Sequence, residues 1–145
     1  MAGMKLKCSL IILLGLGSAL FAQDEVTFID SAKVHAAFEK GGTLLDAGAY
    51  KILASHRDGA GQVEVHATDT DIIHFLKGTA TFITGGTVVD GKTTAPGEIR
   101  GTSITGGTPH MVHPGDIMVV PNGTPHWFEK VDAPFDYFVV KVKAK

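Results

Sequence analysis

QVEVHATDTDIIHFLKG (Gln62–Gly78) and GDIMVVPNGTPH (Gly115–His126) are the two stretches whose reading decides the fold. In the first, Glu64 and His66 stand two apart in a run rich in β-branched residues, and a strand's period of two places both side chains on one face. The segment Ala67–Thr70 has turn chemistry, so the chain reverses there and Asp71, at the head of the next strand, points into the same interior as His66. In the second stretch the apolar strand DIMVV runs into Pro121-Asn122-Gly123, a turn that delivers His126 on the strand after it. Glu64, His66, Asp71 and His126, all residue types that ligate metals, are thereby expected to meet in one pocket.

Outward from these stretches the same texture continues. Runs rich in Val, Ile, Thr, Phe and Tyr alternate with glycine and proline at Tyr50–His56, Gln62–Ala67, Asp71–Leu76 and Ala80–Thr84. They resume at Glu98–Thr105, Met111–His113, Asp116–Val120, His126–Val131 and Phe135–Val142. Many short strands without long helices predict an all-β body, a sandwich or a jelly-roll barrel. One helix is expected within Val26–Lys40, capped by Asp30 or Ser31 and ended by Gly41-Gly42. The polar segment Thr87–Gly97 reads as an extended hairpin or a mobile loop between two halves.

The N-terminal stretch is read apart from the fold. Lys5 and Lys7 precede an uncharged run, Ser9–Phe21, too short for the roughly 17–25 residues of a membrane span, and Ala22 is a small residue suited to a cleavage point. Residues 1–22 are therefore expected to be a signal peptide, and 23–145 a single exported domain with no stable membrane association after processing. Cys8, the one cysteine, lies inside the signal segment, which leaves the mature domain without disulfide or thiol chemistry. Taking Lys5 and Lys7 from the 13 basic residues leaves 11 against 15 acidic ones, a formal charge of −4 with no basic cluster. That balance argues against nucleic acid or anionic membranes as partners.

The two opening stretches resemble the paired motifs of the cupin superfamily, G-x5-H-x-H-x(3–4)-E-x6-G and G-x5-P-x-G-x2-H-x3-N. Gly115, Pro121, Gly123 and His126 match the second motif (about 115–130), with Lys130 in place of its asparagine. His66 and Gly78 match the first (about 61–78), while Glu64 replaces its first histidine, Asp71 its glutamate and Asp58 its leading glycine. The resemblance implies a small, single-domain, bacterial-type cupin jelly-roll with a short N-terminal helix. The ligand set becomes two histidines and two carboxylates, which suits Mn or Fe first and Zn as an alternative. Three readings of function stay open: a metal-dependent dioxygenase, isomerase or lyase acting on a small organic substrate; a non-catalytic binder of a small ligand; and a homodimeric scaffold with a vestigial pocket, Glu64 and Asp71 then serving to hydrogen-bond the histidines.

Neighbouring residues receive plainer expectations. Parity sends His74 to the outer face, Phe128 inward and Trp127 outward. His56 is read as a solvated residue near the barrel mouth in preference to a proton-transfer group, and His110 and His113 as loop residues outside the site. Tyr137 shares a face with Phe135 and Val139, and either offers its hydroxyl to the cavity or anchors a corner.

Overall fold

The computed structural model describes residues 25–144. The expected signal segment Met1–Ala22, with Cys8, lies outside the described residues. The helix α1 spans Ser31–Phe38, shorter than the expected window. Asp30 is extended (φ −68°, ψ 159°), and its carboxylate accepts a hydrogen bond from the Lys33 amide at 2.9 Å, so it ends the extended lead-in and starts the helix in one step. The helix lies on the sheet, Phe38 meeting Phe138 edge-on at 4.9 Å between ring centroids.

The strands are β1 Gly42–Asp46, β2 Tyr50–Arg57, β3 Val63–His66, β4 Asp69–Thr84, β5 Thr87–Val89, β6 Lys92–Ala95, β7 Glu98–Gly101, β8 Ser103–Thr105, β9 Thr108–Val112, β10 Ile117–Val120 and β11 His126–Lys143. The glycine pair that closes the helix also opens β1, a strand the sequence pattern does not announce. The long strands β4 and β11 pair antiparallel from Thr84↔His126 to Asp69↔Lys143. Each changes its second neighbour midway. Strand β11 has β2 beside Phe135–Val142 and touches β3 at His126↔Glu64, while β4 has β10 beside Asp71–His74 and β9 beside Ala80–Thr84. Two half-sheets result, β1-β2-β11-β4-β10 and β6-β7-β3-β11-β4-β9, sharing one bent ribbon.

Both halves feed one core. Phe75, Phe82 and Phe135 have no exposed surface, and Phe75 stands 5.8–6.3 Å from the rings of Phe82, Phe128, Phe135 and Tyr137. Burial of each such side chain contributes about 1.5–3 kcal/mol, which lets a disulfide-free domain of this size stand on its core.

Three expectations change here. Lys77-Gly78 and Asp132–Pro134 are bends inside continuous strands and not strand ends, since β4 and β11 carry register shifts at those points and keep pairing. Thr87–Gly97 is neither a mobile loop nor a hairpin closed on itself: its β5 pairs β8 and its β6 pairs β7, both strands beyond the segment. The jelly-roll does not close into a barrel: β1, β6, β9 and β10 each have one neighbour, and the β3–β11 seam rests on a single register pair. Strand β10 accordingly leaves Ile117 and Val119 on an open edge, 66% and 57% exposed. Among the described residues no helix is long and apolar enough to cross a membrane.

Candidate metal centre

Between the half-sheets lies a cavity of about 420 Å³, the size of a small-ligand site. Strand parity brings Glu64 and His66 of β3 into it together, and His126 enters from the head of β11, directly opposite Glu64. The turn before His126 is tied to β3: the Gly123 amide donates to the His66 carbonyl at 2.7 Å and the Asn122 side chain to the Ala67 carbonyl at 3.1 Å. Gly123 adopts φ +77°, the left-handed region that glycine enters without penalty. One ligand atom from each of Glu64, His66 and His126 falls within 4.8 Å of the others.

Hydrogen bonds select the ring nitrogens that face inward. His66 Nδ1 lies 2.8 and 2.9 Å from the Glu98 carboxylate oxygens, which can only accept, so it carries the proton. His126 Nδ1 likewise donates to the Thr124 carbonyl at 3.1 Å. Both Nε2 atoms are left with lone pairs aimed at the cavity, the arrangement that holds metal-ligating histidines. Glu64 Oε2 stands 3.4 Å from His66 Nε2 and 3.8 Å from His126 Nε2, and Asp71 Oδ2 stands 3.5 and 3.9 Å from the same atoms. His66 Nε2 is buried and has no hydrogen-bond partner. A buried nitrogen left without a partner, facing a second imidazole nitrogen and two carboxylate oxygens, fits a divalent cation in chemistry and in placement.

Asp71 is also engaged by a cation. Lys141, directly opposite it in the β4–β11 register, donates from Nζ to Oδ1 at 2.7 Å and to Oδ2 at 2.9 Å. Arg100 Nη1 stands 3.2 Å from Glu64 Oε1, and Arg57 donates from Nε to Tyr137 Oη at 2.8 Å with its guanidinium 4.7 Å above the Phe128 ring. The motif reading reaches none of Glu98, Arg100, Arg57 and Lys141. Their signal is the period of two: Glu98 and Arg100 alternate on β7 opposite His66 and Glu64, and Lys141 has the parity of Tyr137 and Val139.

The remaining histidines stay out of the cavity. His74 is exposed, as parity requires. His56 is on the face opposite Arg57, its Nδ1 2.6 Å from Asp136 Oδ1, so it is a hydrogen-bonded strand residue and not a solvated one at the mouth. His110 is not in a loop: it sits on β9, 2.9 Å from the Thr84 hydroxyl, while His113 is exposed beyond that strand. Phe128 is in the core, and Trp127 points away and donates to the Gly61 carbonyl at 2.7 Å. Tyr137 offers its hydroxyl to the cavity, where Arg57 holds it.

No protein-family model matches the sequence, and no curated protein does. Solved structures do. A candidate mannose-6-phosphate isomerase from Ralstonia eutropha JMP134 superposes with a TM-score of 0.52 at 19% identity, over 72% of this chain and 84% of that one. A protein of Neisseria meningitidis gives 0.52 at 11% identity, over 80% and 99%. DMSP lyase DddQ from Ruegeria pomeroyi DSS-3 gives 0.50 at 19% identity over 71% of this chain, which spans just under half, 46%, of that enzyme. The chain has the cupin fold. At these identities the likeness is one of architecture, and what the pocket of this chain does rests on its own residues.

The electrostatics of the pocket are set by close pairs. Burial pushes the Glu64 carboxyl up, but the nearby imidazoles of His126 and His66 and the charge of Arg100 outweigh it and hold the group well below the usual carboxylate range. Burial pushes His66 down, and Glu64, Asp71 and Glu98 together raise it above its ordinary value against the opposing charge of Lys141. Burial raises Tyr137, so its hydroxyl keeps its proton and can both donate and accept.

Proposed function

We propose that this chain is an exported, metal-dependent cupin enzyme acting on a small organic substrate. The reaction is of dioxygenase, isomerase or lyase type, with Glu64, His66 and His126 as ligands. The observation that carries the proposal is the buried, unpartnered Nε2 of His66, oriented by Glu98 toward His126 Nε2 and the Glu64 carboxylate. Two histidines and one carboxylate with open positions are the donor set of non-haem Fe(II) centres; Mn(II) suits the same oxygen-rich site, and Zn(II) is the alternative. Asp71 joins as a fourth ligand on release from Lys141. When bound, the ion supplies Lewis acidity toward a substrate oxygen and, if it is iron, redox chemistry. The chain's own residues do the rest. Leu53, Ile73, Phe128 and Val139 give the cavity an apolar wall, Tyr137 presents a hydroxyl, and Lys141 holds Asp71 by two hydrogen bonds. Export rests on the layout of residues 1–22.

Metal analysis of the untagged mature protein, beside a His66→Ala, His126→Ala double variant, tests the site. Stoichiometric metal in the first and none in the second is expected, and substoichiometric metal in both removes the site as drawn. Oxygen uptake and substrate loss across catechols, flavonols, diketones, sugars and cyanohydrins then test for catalysis.

The second reading, a binder without metal, is favoured by the way the carboxylates already have cations, Glu64 with Arg100 and Asp71 with Lys141. A ligand bound tightly and recovered unchanged supports it. In either case the open edge at Ile117 and Val119 supports pairing of two copies. Val119→Lys is expected to turn a dimer into a monomer in sedimentation equilibrium.

A further inference from the structure

The arginines of the cavity are left without a role by the metal reading, and from them we infer that the pocket takes a small organic acid whose carboxylate is held by Arg57 and Arg100. The inference rests on metal binding by Glu64, His66 and His126. Around the two histidines stand three acidic side chains, Glu64, Asp71 and Glu98, and three basic ones, Arg57, Arg100 and Lys141. Lys51 and Asp69, which line the same cavity, also cancel. With both imidazoles neutral, as metal ligation requires, the side chains of the cavity balance in charge, and a divalent ion adds two positive charges that no residue of the cavity offsets. Excess charge in a part-buried, low-dielectric space is costly, and an anionic ligand is what removes the cost.

The donors for that anion are in place. Arg57 is fixed before any ligand arrives: Nε is committed to Tyr137 Oη, its plane lies over Phe128, and its head packs on Gly61, where a Cβ would fall 2.6 Å from Nη1. Its Nη2 is 3.8 Å from Glu64 Oε1, too far for a hydrogen bond, so the outer edge of the fork is free to donate. Arg100 Nη1 is buried and, though 3.2 Å from Glu64 Oε1, makes no hydrogen bond. Two planar guanidinium groups flank one oxygen of Glu64 while its other oxygen faces the histidines, so an anion on the arginines lies beside the metal position. The planar fork of arginine matches a carboxylate's two oxygens better than it matches a hydroxyl or an amide.

Calorimetric titration of the mature protein with malonate, after saturation with Mn(II), tests the inference, with malonamide as the neutral isostere and inorganic phosphate as the competing oxyanion. Malonate is expected to bind the Mn(II) form at least about tenfold more tightly than the metal-free form, and malonamide to give no heat. Arg57→Gln is expected to keep Mn(II) affinity within about threefold while losing malonate affinity by about tenfold or more. Malonamide binding as well as malonate, phosphate binding more tightly than malonate, or Arg57→Gln binding malonate as wild type does would each overturn the inference while the metal reading stands. Failure of Mn(II), Fe(II) and Zn(II) alike to bind, seen before any malonate is added, would overturn both. The malonamide comparison uses wild-type protein alone, so it decides even if the variant does not fold.

Discussion

Glu98 is the residue on which the centre turns, because it fixes which nitrogen of His66 faces the cavity. Glu98→Gln leaves the strand intact and removes the charge that holds the Nδ1 proton. Metal affinity is expected to fall about 10–100-fold, read by competition against a chromophoric chelator, with the secondary structure unchanged. An unchanged affinity would show that the carboxylate only packs there. The raised pKa of His66 gives a pH prediction with opposite signs in the two forms. In metal-free protein the protonated ring is favoured by folding, with its carboxylate neighbours outweighing burial, so its stabilisation is complete below the ordinary value of 6.5 and lost as pH rises through the folded value above it. Metal needs the neutral ring, so affinity falls as pH drops through that same folded value. Melting curves of the metal-free form and metal titrations, each run across this window, should move in opposite directions. His66 and His126 are legible in the sequence because strand parity and a turn locate them within their own segments. Glu98, Arg100 and Lys141 are not, because each reaches the site as a cross-strand partner, and the register that pairs Glu98 with His66 or Lys141 with Asp71 comes from the assembled sheet.

At the scale of elements, β4 and β11 carry the architecture, and Gly78 is what lets them do so. It sits at φ +77°, and a Cβ there would fall 2.7 Å from the carbonyl oxygens of both Asp132 and Pro134. Gly78→Ala therefore meets two penalties, a backbone conformation that costs about 1–3 kcal/mol for an L residue and a collision with backbone that cannot step aside. Urea unfolding is expected to show a loss at the upper end of that range or beyond, with the midpoint shifted. A loss under half a kilocalorie would mean that the ribbon re-forms its bend elsewhere. The same position explains how the element reading fell short. Alternation of apolar and polar residues places the strands on either side of Gly78 and of Pro134, but glycine and proline signal a break in local geometry and do not say whether the strand ends or bends and goes on. Strand β1 escaped for a related reason: GTLLD has neither clean alternation nor β-branched enrichment, and its pairing with β2 is a long-range gain.

For the whole molecule, the position of the cavity matters more than its contents. Glu64, His66 and His126 belong to the half-sheet that includes β3 and β7, while Asp71 comes from the half that includes β2 and β10, so a metal ion that takes Asp71 as its fourth ligand would link the two halves across the seam that β3 and β11 close with one register pair. Binding to the native state alone stabilises it by mass action, about 2.7 kcal/mol at a hundredfold excess over Kd. For a domain of this length that corresponds to a rise in Tm of roughly 10 °C, reversed by chelation. Differential scanning calorimetry of residues 23–145 with Mn(II), and again after excess chelator, should show the rise and its reversal. The His66→Ala, His126→Ala variant should melt at one temperature under both conditions, since it has lost both inward-facing nitrogens and keeps the aromatic core around Phe75 and Phe82. If wild type and the double variant respond alike, the ion is acting on the surface carboxylates and not across the seam. If neither responds, the half-sheets are held by the core and by the Glu64–Arg100 and Asp71–Lys141 pairs, and the pocket is that of the metal-free binder.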